Sequence, residues 1–159
     1  MDVDRLMTRL NPVVTWLLRS PMHGLLSRAL MLLQVTGRRT GRRYWIPVGY
    51  QRAGDTITVL VSRAPRKLWW RNFREPAPVV VLLRGRLMHG KAAVLQPDSP
   101  AFRTAVERTL QRVPSLGGQF GIRYDPRVGL TTSQWPVVTA NGVVVSIEVV
   151  GTAHDIGSR

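Results

Sequence analysis

The sequence predicts an α+β domain in which short antiparallel strands form a small barrel and helices cover it. Several short segments rich in valine, isoleucine and leucine end at glycine-containing turns, as antiparallel strands do. One longer segment near the C-terminus has the apolar spacing of an amphipathic helix. The predicted organisation is an N-terminal helical lid over residues 1–30, a barrel domain over 31–151 and a flexible tail over 152–159.

The N-terminal segment is predicted to form short helices. Asn11-Pro12 and Ser20-Pro21 each place a capping side chain before a proline, which favours the start of a helix. Apolar residues follow with helical spacing. Two interpretations fit this pattern: a lid packed on the core, or an amphipathic surface that touches a membrane while nearby arginines contact the headgroups.

The predicted strands are separated by turns and by two helical segments. Strands are predicted over residues 31–36, 43–51, 56–62, 79–83, 87–95 and 143–150. Pro65 opens a short helix with Leu68, Trp69, Asn72 and Phe73 on one face. Ser99-Pro100 starts the longer helix, which carries Arg112 on its polar face and ends at Pro114. Residues 115–141 carry no clear pattern.

Composition limits the chemistry that the chain can perform. The 159 residues suit one domain, and a formal net charge of +14 predicts an anionic partner: nucleic acid, an acidic membrane surface or a phosphorylated small molecule. There is no cysteine, which excludes disulfides, thiolate catalysis and zinc–thiolate sites. His23, His89 and His154 lack metal-ligand spacing. No secretory signal or apolar span is recognisable, so a cytoplasmic location is expected.

A basic turn, residues 37–43, lies between the first two predicted strands. Its sequence is GRRTGRR, with four arginines and two glycines. Guanidinium groups match phosphate and carboxylate oxygens bidentately, and glycine leaves backbone N–H groups uncovered. The turn is therefore interpreted as an anion-binding site. A hairpin tip that is simply solvated is the alternative.

A second group of basic and aromatic residues follows the third predicted strand, in the segment SRAPRKLWWRNFR at residues 62–74. Cations interleaved with aromatic rings fit single-stranded nucleic acid, through stacking and phosphate contacts. They equally fit a flat heteroaromatic cofactor with an anionic tail. A surface helix that inserts one tryptophan into the core is the structural alternative.

Side chains that could perform catalysis themselves are scarce. Residues 85–92 resemble a P-loop, but Ala92 lacks the required hydroxyl and a strand is predicted to follow instead of a helix. No nucleophile elbow and no pair of catalytic carboxylates is recognisable, so no catalytic side chain is predicted. If the protein is an enzyme, a cofactor supplies the reaction and the chain supplies position and charge.

Two stretches carry a resemblance to a known family. Residues 36–42 (TGRRTGR) with 46–50 (IPVGY), and then residues 62–73 (SRAPRKLWWRNF), resemble in order the two motifs of deazaflavin (F420)-dependent nitroreductase-like proteins. The resemblance implies a six-stranded antiparallel split β-barrel with N-terminal helices and one long helix before the last strand. It also implies coenzyme F420, with FMN as the alternative, and hydride transfer to a hydrophobic, quinone-like or nitro acceptor.

The same resemblance implies a set of cofactor-binding residues. The phosphate and acidic tail would be held by the basic turn, the ring would lie along the second strand, and the second motif would close over both. These positions are Arg38, Arg39, Thr40, Gly41, Arg42, Pro47, Val48, Gly49, Ser62, Lys67, Trp70 and Asn72. A monomer or homodimer is expected, with peripheral membrane contact through the N-terminal helices and no nucleic acid. A non-catalytic protein of this fold that binds a lipid, haem or flavin, and a basic nucleic-acid or membrane-surface binder, remain the alternatives.

Overall fold

Seven strands build the part of the chain that the computed structural model describes, residues 30–152. The strands are β1 (Leu30–Thr36), β2 (Arg43–Gly49), β3 (Gln51–Ala53), β4 (Thr56–Val61), β5 (Ala77–Leu83), β6 (Arg86–Val94) and β7 (Val143–Thr152). Two α-helices, α1 (Pro100–Arg112) and α2 (Trp135–Asn141), and three 3₁₀ helices, η1 (Ala64–Arg66), η2 (Trp69–Phe73) and η3 (Pro114–Phe120), complete it. The predicted N-terminal helices and C-terminal tail lie outside the described residues.

All seven strands belong to one antiparallel sheet with the order β2-β1-β5-β6-β7-β4-β3. β2 and β3 are therefore at opposite ends of the sheet. They are nevertheless consecutive in the chain, with Tyr50 alone between them. A chain cannot pass from one end of a flat sheet to the other through one residue, so the sheet curls until its two ends meet. The predicted antiparallel barrel with helices is confirmed in this form.

The predicted count of six strands is wrong, because the segment predicted as one strand over residues 43–51 is divided. Up to Gly49 the segment pairs with β1, where Gly49 faces Leu30. From Gln51 it pairs with β4, where Gln51 faces Thr58. Only Tyr50 separates the two strands, and the residue pattern alone does not record which neighbour a strand pairs with.

The core consists of two clusters on opposite sides of β7. Val145 and Ile147 point into the barrel, among residues such as Leu33, Ile57 and Val81. Val144 points the other way, into a cluster formed by α1, α2 and η3: Phe102, Ala105, Val106, Leu110, Phe120, Tyr124 and Val138. A strand buried on both faces is apolar at consecutive positions, which explains the run Val143-Val144-Val145.

Helix α1 begins where it is predicted to begin. The Ser99 hydroxyl accepts a hydrogen bond from the Phe102 N–H at 3.2 Å, which satisfies a free donor of the first turn. Pro100 occupies the first helical position, and Pro114 begins η3 instead of continuing the helix. The long helix is not the last element before the final strand, since α2 lies between α1 and β7.

The predicted short helix over residues 65–73 is replaced by η1 and η2, with Lys67 and Leu68 between them. Leu68 is 67% exposed, so it does not share a buried face with Phe73, which is 2% exposed. The segment with P-loop character forms the turn between β5 and β6 and then β6 itself. Among residues 30–152, no helix has the length and apolarity needed to cross a membrane.

Candidate functional site

A cavity of about 560 Å³ lies between the end of the barrel and the helical layer. One wall is the strand β2 with the residues that follow it, and a second wall is β4. The third wall comes from the end of α1 and from η3. Its principal lining residues are Ile46, Pro47, Val48, Gly49, Tyr50, Gln51, Val59, Leu60, Ser62, Lys67, Trp69, Arg112, Leu116, Gln119 and Phe120. The walls are mainly apolar, which suits a flat organic ligand.

A side-chain hydrogen bond joins two walls of the cavity. The Ser62 hydroxyl, at the end of β4, is bonded to Oε1 of Gln119 in η3. Ser62 is 7% exposed, whereas Gln119 is largely exposed at the rim. The bond fixes the direction of the Ser62 hydroxyl and holds η3 against the barrel.

Gln51 is a buried polar residue among those that line the same cavity. The residue is 7% exposed, and its Oε1 accepts no hydrogen bond from residues 30–152. A buried acceptor without a donor is costly, since it has lost its water and gained no partner. The cavity that Gln51 lines is therefore a place where a ligand donor would be stabilised.

The cavity is electropositive. Lys67 and Arg112 line it, and none of the described residues that line it is acidic. Partial burial lowers the pKa of the Lys67 ammonium below its usual value, and the repulsion of Arg63 lowers it further. Arg63 has a left-handed backbone with φ of 51°, which starts the tight turn before η1. An anionic ligand would relieve this repulsion.

The basic turn is ordered by its own backbone. The Gly37 N–H donates to the Arg42 carbonyl at 2.8 Å, and the Gly41 N–H donates to the Gly37 carbonyl at 2.9 Å. Gly41 has φ of 65°, a conformation that glycine adopts without a Cβ clash. Within residues 30–152 the sole ion pair joins Arg103 to Asp98. The exposed guanidinium groups of the turn therefore remain available to an anion.

Asn72 connects the basic turn to the region of the cavity. Its Oδ1 accepts a hydrogen bond from the Arg38 N–H at 3.2 Å, and its Nδ2 donates to the Trp69 carbonyl at 2.8 Å. Trp69 lines the cavity and packs edge-to-face on Phe73, with ring centroids 6.4 Å apart. The turn and the cavity are thus adjacent, joined through one amide side chain.

The two tryptophans of the second motif have different surroundings. Trp70 does not line the cavity. Its indole N–H donates to the Ala64 carbonyl at 2.8 Å, and the guanidinium carbons of Arg71 and Arg74 lie 5.7 and 5.2 Å from its ring centroid. Trp70 therefore braces η1 against η2 beneath two cations.

The structure divides the cofactor-binding residues that the resemblance implies into two neighbouring groups. Lining the cavity are Pro47, Val48, Gly49, Ser62 and Lys67. Outside it, in the basic turn and η2, are Arg38, Arg39, Thr40, Gly41, Arg42, Trp70 and Asn72. Sequence reasoning missed Gln51, Arg112 and Gln119. Arg112 was expected to face away on the polar side of its helix, and Gln119 lies in the stretch without a pattern.

The fold defines the class of protein: the curled antiparallel sheet with its helices is that of split-barrel-like proteins. The F420-H2 dependent reductase FDR-A superposes with a TM-score of 0.55 at 14% identity, over 76% of this chain and 95% of that one. HutZ, the heme storage protein of Vibrio cholerae, gives 0.53 at 11% identity, over 84% and 94%. A putative pyridoxamine 5'-phosphate oxidase from Listeria innocua gives 0.50 at 11% identity, over 82% and 92%.

The chain belongs to the F420H(2)-dependent quinone reductase family, whose model matches residues 19–115, more than half of its length. It is accordingly an oxidoreductase that uses coenzyme F420, as the two motifs implied. No curated protein sequence matches it significantly. The described residues fit this coenzyme, because a largely apolar cavity with an unpaired acceptor lies beside a group of exposed cations.

Proposed function

We propose that the chain reduces a small hydrophobic quinone-like or nitro compound, with the coenzyme ring in the cavity and the anionic tail along the basic turn. The contact between Arg38 and Asn72 carries this proposal, because it brings the exposed cations next to the element that lines the cavity. A ligand with a flat ring and a polyanionic tail matches that pair of neighbouring surfaces.

The chain's own residues position the ligand. Arg38, Arg39 and Arg42 provide guanidinium groups for phosphate and carboxylate oxygens, and Thr40 and Gly41 shape the turn that carries them. Pro47, Val48 and Gly49 present strand backbone to one face of the ring. F420 supplies the hydride when it is bound, so no protein nucleophile is needed.

The residues of the second motif have proposed roles in holding the ring and excluding water. Ser62 offers a hydroxyl whose direction Gln119 fixes. Lys67, which lines the cavity, places a cation between the ring and the tail. Trp70 and Asn72 act indirectly by bracing η1 and η2 and by fixing the basic turn.

The acceptor site is proposed at the apolar wall opposite the strands. Leu116 and Phe120 of η3 line that wall, and Leu30, the first described residue, lines the cavity as well. This position of Leu30 supports a covering role for the proposed N-terminal lid over residues 1–30, and any peripheral membrane contact would then lie near the entry of a hydrophobic acceptor.

Titration of the protein with F420, followed by quenching of tryptophan and coenzyme fluorescence, tests the proposed site. We expect saturable binding and, with the reduced coenzyme, hydride transfer to a soluble quinone. The double substitution Arg38→Gln and Arg42→Gln should weaken binding about tenfold and flatten its salt dependence, because charge-assisted hydrogen bonds are lost. The matched control removes two charges elsewhere, through Arg123→Gln and Arg127→Gln at exposed arginines between η3 and α2.

Two results would contradict the proposal. One is the absence of saturable binding up to roughly millimolar coenzyme, which corresponds to about 4 kcal/mol of binding free energy. The other is equal weakening by the control that combines Arg123→Gln and Arg127→Gln, which would mean that net charge alone attracts the ligand. Binding of DNA at low salt with loss in the same double variant would instead favour a nucleic-acid surface.

A further inference from the structure

Gln51 is a residue whose burial the fold alone does not explain. It is the first residue of β3, directly after Tyr50, where the chain changes from one end of the sheet to the other. Val48 and Ile57 nearby are apolar and buried, as core positions usually are. Gln51 is equally buried but carries an amide. A methionine or leucine would fill such a position without leaving a buried hydrogen-bond acceptor unpaired.

The residue that carries the unpaired atom lines the cavity. Gln51 is among the lining residues, and its buried Oε1 finds no donor within residues 30–152. The group that would satisfy this oxygen must carry an N–H or O–H and must enter a mainly apolar pocket. The site consequently selects for a ligand with a donor on its buried edge.

The two ligands of the proposed reaction differ in this respect. A quinone presents carbonyl oxygens, which accept hydrogen bonds and cannot satisfy Oε1. The pyrimidinedione end of a deazaflavin carries an imide N–H flanked by carbonyl groups. A primary carboxamide is complementary to that edge, because its oxygen accepts from the N–H while its NH₂ group donates to a neighbouring carbonyl.

We propose that Gln51 is a specificity-determining residue that recognises the imide edge of the deazaflavin ring in this cavity. The inference rests on the proposed function and adds a direction to it: the pyrimidinedione end of the ring lies toward β3, and the acceptor approaches from the side of η3. Gln51 thereby favours the coenzyme over flat apolar compounds of similar size, which would leave its oxygen unpaired.

The test compares two proteins and two ligands. The wild type and Gln51→Met are titrated with F420 and with F420 methylated on the imide nitrogen, and dissociation constants are read from fluorescence. In the wild type, methylation should weaken binding about tenfold, the usual effect of losing a buried hydrogen bond with its partner left unpaired. In Gln51→Met the two ligands should bind within about twofold of each other, at the weaker level.

Thermal unfolding of the ligand-free proteins separates a binding role of Gln51 from a purely structural one. If Gln51 served only to stabilise the fold, its replacement would lower the unfolding temperature. Since the substitution removes an unpaired buried acceptor, Gln51→Met should unfold at the same temperature as the wild type or higher. A lowered unfolding temperature would overturn the inference. So would equal discrimination by both proteins, even with F420 bound tightly, which would leave the proposed function intact. Failure of the wild type to bind F420 would overturn both.

Discussion

Gly90 provides the most direct test of how β6 and β7 are paired. It lies at an irregularity in the register, where His89 faces Gly151 and Gly90 faces Val149. A Cβ atom added to Gly90 would stand 2.7 Å from the Glu148 carbonyl oxygen and 2.9 Å from Cγ2 of Ile147. Real Cβ atoms do not approach other heavy atoms so closely.

Neither neighbour can move away at low cost. The Glu148 carbonyl belongs to the backbone of a paired strand, and Ile147 is fully buried in the barrel core. Gly90→Ala should therefore cost about 3 kcal/mol of unfolding free energy, the upper part of the range for overpacked cores. Gly151→Ala is the matched control, because a Cβ there would meet nothing within 4 Å.

Urea denaturation of both variants, followed by tryptophan fluorescence, measures the difference. Gly151→Ala should stay within about 0.5 kcal/mol of the wild type, as surface changes usually do. If Gly90→Ala destabilised the protein no more than Gly151→Ala, with an unchanged denaturant slope, β6 and β7 could not have this register. The described pairing of these two strands in the barrel would then be wrong.

Three further predictions concern the site wall and the helical layer. Ser62→Ala and Gln119→Ala should each lower the free energy of unfolding by about 1 kcal/mol. A double-mutant cycle in urea should give a coupling energy of similar size, and a coupling energy near zero would refute the hydrogen bond between these residues. Tyr124 donates to Glu107 at 3.1 Å, and burial, followed by that bond, raises the pKa of the phenol above 10.0. The contribution of the neutral phenol to stability is fully present below pH 10.0 and is lost as the pH rises through the raised pKa. Tyr124→Phe should therefore flatten the decline of the unfolding temperature at alkaline pH. Phe102→Ala should cost about 4 kcal/mol of unfolding free energy, and a loss below about 2 would contradict the complete burial of this α1 side chain in the helical-layer cluster.

Elements with a strong local signal are predictable from the sequence. Helix α1 has a capping serine, a proline at its first position and apolar residues at helical spacing, and the structure contains it where expected. β1, β4 and β7 likewise have alternating or continuous apolar patterns within a residue or two of their observed bounds. The order of the two motifs was sufficient to indicate the family and its coenzyme.

Features that depend on distant partners could not be predicted. The break at Tyr50 is an exchange of neighbouring strands, which leaves no local pattern. Ser62 and Gln119 are 57 positions apart in the chain, so the local sequence around either residue does not indicate the hydrogen bond between them. Trp69 and Trp70 are adjacent and chemically identical, and only their hydrogen bonds and packing show which of them lines the cavity.

The central position of β7 has a consequence for biosynthesis. β7 lies between β6 and β4 in the sheet. Its residue Glu148 contacts Thr56 of β4, which lies 92 positions earlier in the chain. A nascent chain that has not yet exposed β7 holds two pieces that no strand pairing joins, a four-stranded sheet and the β3–β4 hairpin. The ligand cavity draws on both, because β2 belongs to the first and β4 to the second. We therefore expect coenzyme loading at the proposed site to wait until the ribosome has released almost the whole domain, and a chain that ends before residue 143 to lack a binding-competent fold.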